Sequence, residues 1–272
     1  MVTRTVESVP LPVVTPLLRA DGAWVKAEGR QRTGSVKYRL VAHRVREALA
    51  SGTLLGGKTL VEATSGSTGI SLAWVGKGLL IPVELHAYAS ASTVKVERMR
   101  ELGARVVLYP TETPITEILR EVERREASGS AWRLGQYARD AGREPYEALA
   151  REVLGQIREA GGPPPRVFAC PVGTGGLIQG VGRVLREACP GIRIVAVEPA
   201  EGVSIEGMRH FTRVHLGAED PFDPTFPDEV ARVEAAPGPT HVHEVQLGES
   251  AAATLAVARG RGWTDALVIA AD

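Results

Sequence analysis

Three segments combine residue types and spacing that can do chemistry. In the first, Lys37 follows Gly34-Ser35-Val36 at the start of a stretch of helical period that runs to about Ala50. The helix dipole disfavours a cation in the first turn by a few tenths to about 1 kcal/mol. A surface lysine tolerates that cost, but the same field, helped by burial, lowers the amine pKa and leaves a nucleophile able to condense with a carbonyl. The second segment, Cys170-Pro171-Val172-Gly173-Thr174-Gly175-Gly176-Leu177, sits between a strand and a helix. Its glycines allow a tight turn that aims successive amides at an anion, with phosphate the natural guest. The spacing is neither the dinucleotide pattern nor a nucleotide P-loop, and a plain strand-to-helix turn explains such a loop about as well. The third, Thr64-Ser65-Gly66-Ser67-Thr68-Gly69, sets four hydroxyls at another helix start. One N-cap needs one hydroxyl, and the surplus suits a carboxylate.

These loops need strands and helices to hold them, and the chain supplies an alternation. Short apolar, β-branched runs at Lys58–Ala63, Ile81–His86, Arg105–Tyr109, Arg166–Cys170 and Ile192–Val197 alternate with helical periods at Ser67–Gly78, Ala91–Gly103, Pro114–Ala127 and Thr174–Ala188. A strand at Val242–Leu247, a helix at Glu249–Gly260 and a strand at Ala266–Ala270 follow. The alternation predicts an α/β protein of two lobes, each a parallel-rich sheet with helices on both faces. Ser128–Ser130 is read as a boundary between the lobes. Gly161–Pro165 is read as a helix stop, and Gly217–Pro239, rich in Pro and Asp, as a surface excursion or flap.

Composition narrows the partners. With 32 basic and 32 acidic residues in 272, the net charge is zero, which argues against nucleic acid. Apolar runs such as Gly78–Val83 are too short for a bilayer and no secretory leader is evident, so a cytoplasmic location is expected, with no membrane partner. Cys170 and Cys189 fit no zinc or disulfide spacing and read as structural. The chain has no Asn and only five lysines against 27 arginines. His241 and His243 alternate on one expected strand, but no third ligand is in view and no metal site is expected. Gly66-Ser67-Thr68-Gly69 is not a nucleophile elbow.

Taken together, the three segments resemble the fold-type II pyridoxal-phosphate enzymes, whose fold is that of the tryptophan synthase β chain. The resemblance is closest to the cysteine synthase (O-acetylserine sulfhydrylase) and cystathionine β-synthase group. Gly34-Ser35-Val36-Lys37 matches the family's lysine motif, preceded by Thr15-Pro16-Leu17 and Val25-Lys26-Ala27-Glu28. Thr64–Gly69 matches its Thr-Ser-Gly-Asn-Thr-Gly loop, and Gly173–Leu177 its Gly-Thr-Gly-Gly-Thr loop. Similarity continues through Glu97–Ala104, Gln136-Tyr137 and Val195–Pro199, so it covers most of the chain.

The resemblance implies pyridoxal 5'-phosphate between the lobes, bound covalently by Lys37, with its phosphate on Gly173, Thr174, Gly175 and Gly176. Thr64, Ser65, Gly66, Thr68 and Gln136 would hold the substrate carboxylate. The implied reaction is β-replacement on an O-activated serine-type amino acid by sulfide or a thiol, in a homodimer. The alternatives are β-elimination, as in a cysteine desulfhydrase or serine dehydratase, and a non-catalytic relative that acts as a binding partner. Residues 1–39 and 136–272 would form a larger cofactor-binding domain, and 40–135 a smaller one.

The sequence departs from the family at several positions. Ser67 stands where the family has Asn beside the cofactor's ring oxygen, Tyr38 replaces an acidic residue, and Leu177 replaces a hydroxyl. The family's last core strand delivers a Ser hydroxyl to the pyridine nitrogen. Val268–Asp272 takes that strand's place here, so Asp272 is expected beside the cofactor ring.

Overall fold

The computed structural model describes residues 4–54, 56–64, 66–138, 141–212 and 220–272. In chain order the strands are β1 (Leu17–Ala20), β2 (Ala23–Ala27), β3 (Thr59–Ala63), β4 (Val83–Tyr88), β5 (Arg105–Tyr109), β6 (Ala131–Arg133), β7 (Val167–Pro171), β8 (Arg193–Pro199), β9 (Glu229–Val233), β10 (Thr240–Val242), β11 (Val245–Leu247) and β12 (Ala266–Ala270). The helices are α1 (Lys37–Ala50), α2 (Ser67–Leu79), α3 (Thr93–Glu101), α4 (Ile115–Ala127), α5 (Arg143–Glu159), α6 (Gly176–Ala188) and α7 (Glu249–Gly260). The chain divides into two compact units, Met1–Val13 with Lys37–Gln136 and Val14–Val36 with Tyr137–Asp272. Residues 4–13, 37–39 and 136, expected with the larger domain, thus group with the smaller unit. Val9 and Tyr38 share an apolar cluster with Val41, Leu72 and Leu134, and Tyr38 donates to the Pro10 carbonyl at 2.6 Å.

The smaller unit is built on an all-parallel sheet in the order β5-β4-β3-β6. Alternation along β3 sends Leu60 into the cluster of α1 and α2, while Val61 and Ala63 join Ile118 and Val122 of α4. A strand covered on both faces must be apolar at successive positions, as Leu60 and Val61 are. Ser128–Ser130, expected as the boundary between the lobes, lies within the smaller unit. These residues form the turn from α4 into β6, where Ser128 and Ser130 hydroxyls pair at 2.8 Å, and β6 completes the sheet.

The larger unit holds a six-stranded sheet in the order β1-β2-β12-β7-β8-β9, parallel except for the β1-β2 hairpin. Val268 of β12 and Ala169 of β7 pack with Ala252 and Leu255 of α7, while Leu267, Ile269, Phe168 and Cys170 are equally buried. Lys26 lies fully buried in β2. Its ammonium donates to the Thr15 carbonyl (2.5 Å), Gln156 Oε1 (2.8 Å) and the Glu152 carboxylate, as a charge removed from water requires. Cys170 and Cys189 are buried and unbridged.

Two further expectations are revised. Residues 220–239 are not wholly an excursion: β9 runs through them and pairs in parallel with β8, Ala231 and Val233 pointing into the core. Residues 217–219 of that segment lie outside the described residues. Val242–Leu247 is not one strand but the β10-β11 hairpin, Val242 paired with Val245 around the turn His243-Glu244. His243 takes φ 52°, the left-handed conformation this turn demands. His241 and His243 therefore do not share a strand face, which removes the geometric ground for reading them as paired ligands. No helix among the described residues is long and apolar enough to cross a membrane.

Candidate active site

In the larger unit, β7 delivers the chain to Gly173–Gly175 and α6 begins at Gly176. Among the described residues, the six amides from Gly173 to Ile178 have no protein acceptor; the first amide of the region to find one is Gln179, on the Gly175 carbonyl at 3.2 Å. A helix start leaves four such amides, and the loop adds more. The donors suit a dianionic phosphate, which also gains from the positive end of the α6 dipole. Gly175 supplies the bend at φ 86°, and a Cβ there would sit 2.5 Å from Phe222 Cβ. Gly175→Ala is accordingly expected to cost about 1–3 kcal/mol of stability or cradle geometry. A variant that keeps wild-type thermal unfolding and wild-type affinity for phosphate would show the bend to be dispensable.

Also in this unit, the end of β12 lies against two backbone segments. The Val36 amide, one residue before Lys37, donates to the Ala271 carbonyl at 2.7 Å. The Asp272 carbonyl accepts from the Gly248 amide at 2.7 Å, and Asp272 Oδ1 accepts from Ser250 Oγ at 3.2 Å. Gly248 is the N-cap of α7, so the Asp272 carboxylate sits where the helix dipole favours an anion. Ser250 is a partner that sequence reasoning missed. A hydroxyl at the second position of a helix gives no sign of what a strand end 22 residues later will bring to it.

In the smaller unit, Lys37 is the first residue of α1 and is half-buried. The turn ahead of it is set by Gly34 at φ 76°, whose amide donates to the Gln31 carbonyl at 2.9 Å. Tyr38, noted for replacing an acidic residue, is core: fully buried, with its ring edge-on to Trp74 at 5.6 Å.

The hydroxyl loop of the same unit follows β3. Buried Thr64 donates its amide to the His86 carbonyl (2.8 Å), and Gly66 is the N-cap of α2. Ser65, expected on the substrate carboxylate, lies outside the described residues. Thr68 Oγ1 donates to Gln136 Oε1 at 2.7 Å, and Gln136 Nε2 donates to the Ala63 carbonyl at 2.7 Å. The structure thus joins Thr68 and Gln136, which the sequence brackets 68 residues apart. Because the Thr68 proton is already directed to Gln136, the donors that face no such claim include the Thr64 and Ser67 hydroxyls, the second Nε2 hydrogen of Gln136 and the Ser67 and Thr68 amides. Among the described residues those two amides have no protein acceptor.

Beneath this loop lies Glu62, buried to 1% exposure. Its Oε1 accepts from the Ala63 amide (2.8 Å) and its Oε2 from the Gln136 amide (2.9 Å). Burial pushes the carboxyl up to about 7, against the opposing pull of the Gln136, Ala63 and Gly135 amides and the Arg133 charge. Glu62 was not anticipated from the sequence. The signal was present, a lone acid inside the apolar run Thr59–Ala63, but only the fold shows that it holds Gln136.

Residues 5–266 match the family model described as "Pyridoxal-phosphate dependent enzyme". A cysteine synthase of Aquifex aeolicus is 34% identical over 219 residues, 78% of this chain and 64% of that protein. A cysteine synthase of a Flavobacterium species is 30% identical over 200 residues, 72% of this chain and 63% of that protein. The matched part of the chain thus spans 64% and 63% of the lengths of these two curated relatives. Among solved structures, O-ureido-L-serine synthase superposes with a TM-score of 0.80 at 23% identity, covering 99% of this chain and 91% of that one. A hydrogen sulfide-producing enzyme of Fusobacterium nucleatum gives 0.82 at 22% identity, covering 100% and 98%. At those identities the likeness is one of α/β fold.

Proposed function

The chain belongs to the pyridoxal-phosphate dependent enzyme family, and from that premise we infer that it binds pyridoxal 5'-phosphate and catalyses β-replacement on an O-activated serine-type amino acid, with sulfide or a thiol as the incoming group. The observation that carries the cofactor assignment is the run of amides from Gly173 to Ile178 at the start of α6, a donor set with no internal use among the described residues. Bound, the cofactor supplies an electron sink for negative charge at the substrate α-carbon.

The chain's own residues supply the rest. Lys37 attaches the cofactor and, once released, takes the α-proton as general base. Gly173, Thr174, Gly175 and Gly176 hold the phosphate. Thr64, Ser65, Gly66, Thr68 and Gln136 receive the substrate carboxylate, Thr68 acting largely by orienting Gln136. Ser67 would hold the cofactor through its ring oxygen, and Asp272, held by Ser250, would serve the ring. Named cysteine synthases among the relatives support replacement. Ser67 at the family's Asn position favours a second reading, β-elimination from cysteine or serine. A cytoplasmic homodimer belongs to the same proposal.

The test is product analysis. Protein loaded with pyridoxal phosphate and given O-acetylserine and sulfide should form cysteine, with little pyruvate. Pyruvate formed equally with and without sulfide would establish elimination instead. Purified protein that takes up no cofactor and shows no visible absorption band would overturn both readings in favour of a non-catalytic binding role.

A further inference from the structure

We propose that Arg209 is a positioning residue for the cofactor-phosphate loop, locked in place by Asp220; this rests on the reading of Gly173–Gly176 given above. Arg209 engages the loop twice. Its amide donates to the Val172 carbonyl at 2.9 Å and its Nε to the Gly173 carbonyl at 2.7 Å. In a trans peptide the carbonyl and the following N–H point in opposite directions. Holding the Gly173 oxygen toward Arg209 therefore turns the Thr174 amide the other way, as one donor of the cradle.

The guanidinium itself is held by a two-pronged pair with Asp220, Nη1 to Oδ2 at 2.7 Å and Nη2 to Oδ1 at 2.6 Å, both side chains largely buried at 15% and 13% exposure. Asp220 Oδ1 also accepts from the Phe222 amide at 3.0 Å. Phe222 is the residue whose Cβ stands 2.5 Å from where a Gly175 Cβ would be, and its ring packs edge-on against Phe211 at 4.8 Å. Gln179 of α6 closes the circuit, with Nε2 donating to the Pro221 carbonyl (2.8 Å) and Oε1 accepting from the Asp223 amide (3.2 Å). Residues 207–211 and 220–223 therefore form a brace around the loop. Gly207 completes it, with a carbonyl 3.0 Å from where a Gly173 Cβ would stand.

Because Asp220 occupies both outer nitrogens, the Arg209 charge is largely cancelled, and its effect on the loop is orientation rather than attraction of the anion. That distinction sets the experiment. Full-length protein freed of cofactor is titrated separately with pyridoxal phosphate and with pyridoxal, which lacks the phosphate, and binding is read by absorbance. The 31P resonance of the bound phosphate is recorded in parallel. Arg209→Met and Arg209→Lys are each expected to weaken pyridoxal phosphate about tenfold and shift the 31P resonance, with pyridoxal affinity changed less than twofold.

Full rescue by Arg209→Lys would mean that charge suffices and would overturn positioning. Equal losses for the two probes, or no loss for either, would overturn it too. If the Arg209 variants do not fold, Asp220→Asn, which leaves the Gly173 contact without its anchor, is read by the same comparison. Wild-type protein that binds both probes equally would instead refute the underlying phosphate-loop reading.

Discussion

Lys37→Ala protein is expected to carry no covalently bound cofactor and to lose turnover by about a thousandfold or more, with unfolding free energy within about 1 kcal/mol of wild type. The first expectation follows from chemistry: no other side chain at this helix start supplies an amine that can condense with a carbonyl. The second follows from the loss of the group proposed to take the α-proton, a role commonly worth about a hundred- to ten-thousandfold. Stability is nearly conserved because Ala is the better helix former and a first-turn cation opposes the dipole. The check is mass spectrometry after borohydride reduction, beside turnover and thermal unfolding. Label found on Lys58, Lys77 or Lys95 instead would sink the assignment. Lys26 is a poor substitute, since its ammonium is fully buried among Thr15, Glu152 and Gln156.

The second large effect is a dependence of stability on pH from Glu62. Its carboxyl titrates at about 7 in the folded protein against 4.5 ordinarily, chiefly because burial strips water from the ion. A carboxyl raised in the folded state favours folding when protonated. Its contribution is therefore full below about pH 4.5 and is lost as pH rises through about 7. The difference between the plateaus is on the order of 3 kcal/mol. Wild-type protein should lose that much unfolding free energy between pH 5 and pH 8 relative to Glu62→Gln, which cannot titrate there. Parallel stability profiles for the two proteins over that range would falsify the idea that Glu62 titrates within it. The fold tolerates ionised Glu62 because both oxygens then accept amides, from Ala63 and Gln136. Protonation turns one of those oxygens into a donor facing an N–H.

What the sequence determined by itself was local. Glycine and hydroxyl residues at strand-to-helix junctions mark Thr64–Gly69 and Gly173–Gly176 because a tight turn and a helix start impose their requirements on consecutive residues. The α/β alternation was legible for the same reason, since helical and strand periods are properties of one segment at a time. Tertiary structure decided everything that joins distant segments. It set β12 between β2 and β7, split Val242–Leu247 into a hairpin, and brought β9 beside β8 out of a stretch whose Pro and Asp content reads as loop. It also made Glu62, Thr68 and Gln136 one hydrogen-bonded group, and set Arg209 on Gly173 and Ser250 on Asp272. Each of these pairings satisfies a buried or half-buried polar atom. Which partner satisfies it depends on how strands are ordered in a sheet, and that order follows from packing the whole chain, not from the period of any one segment.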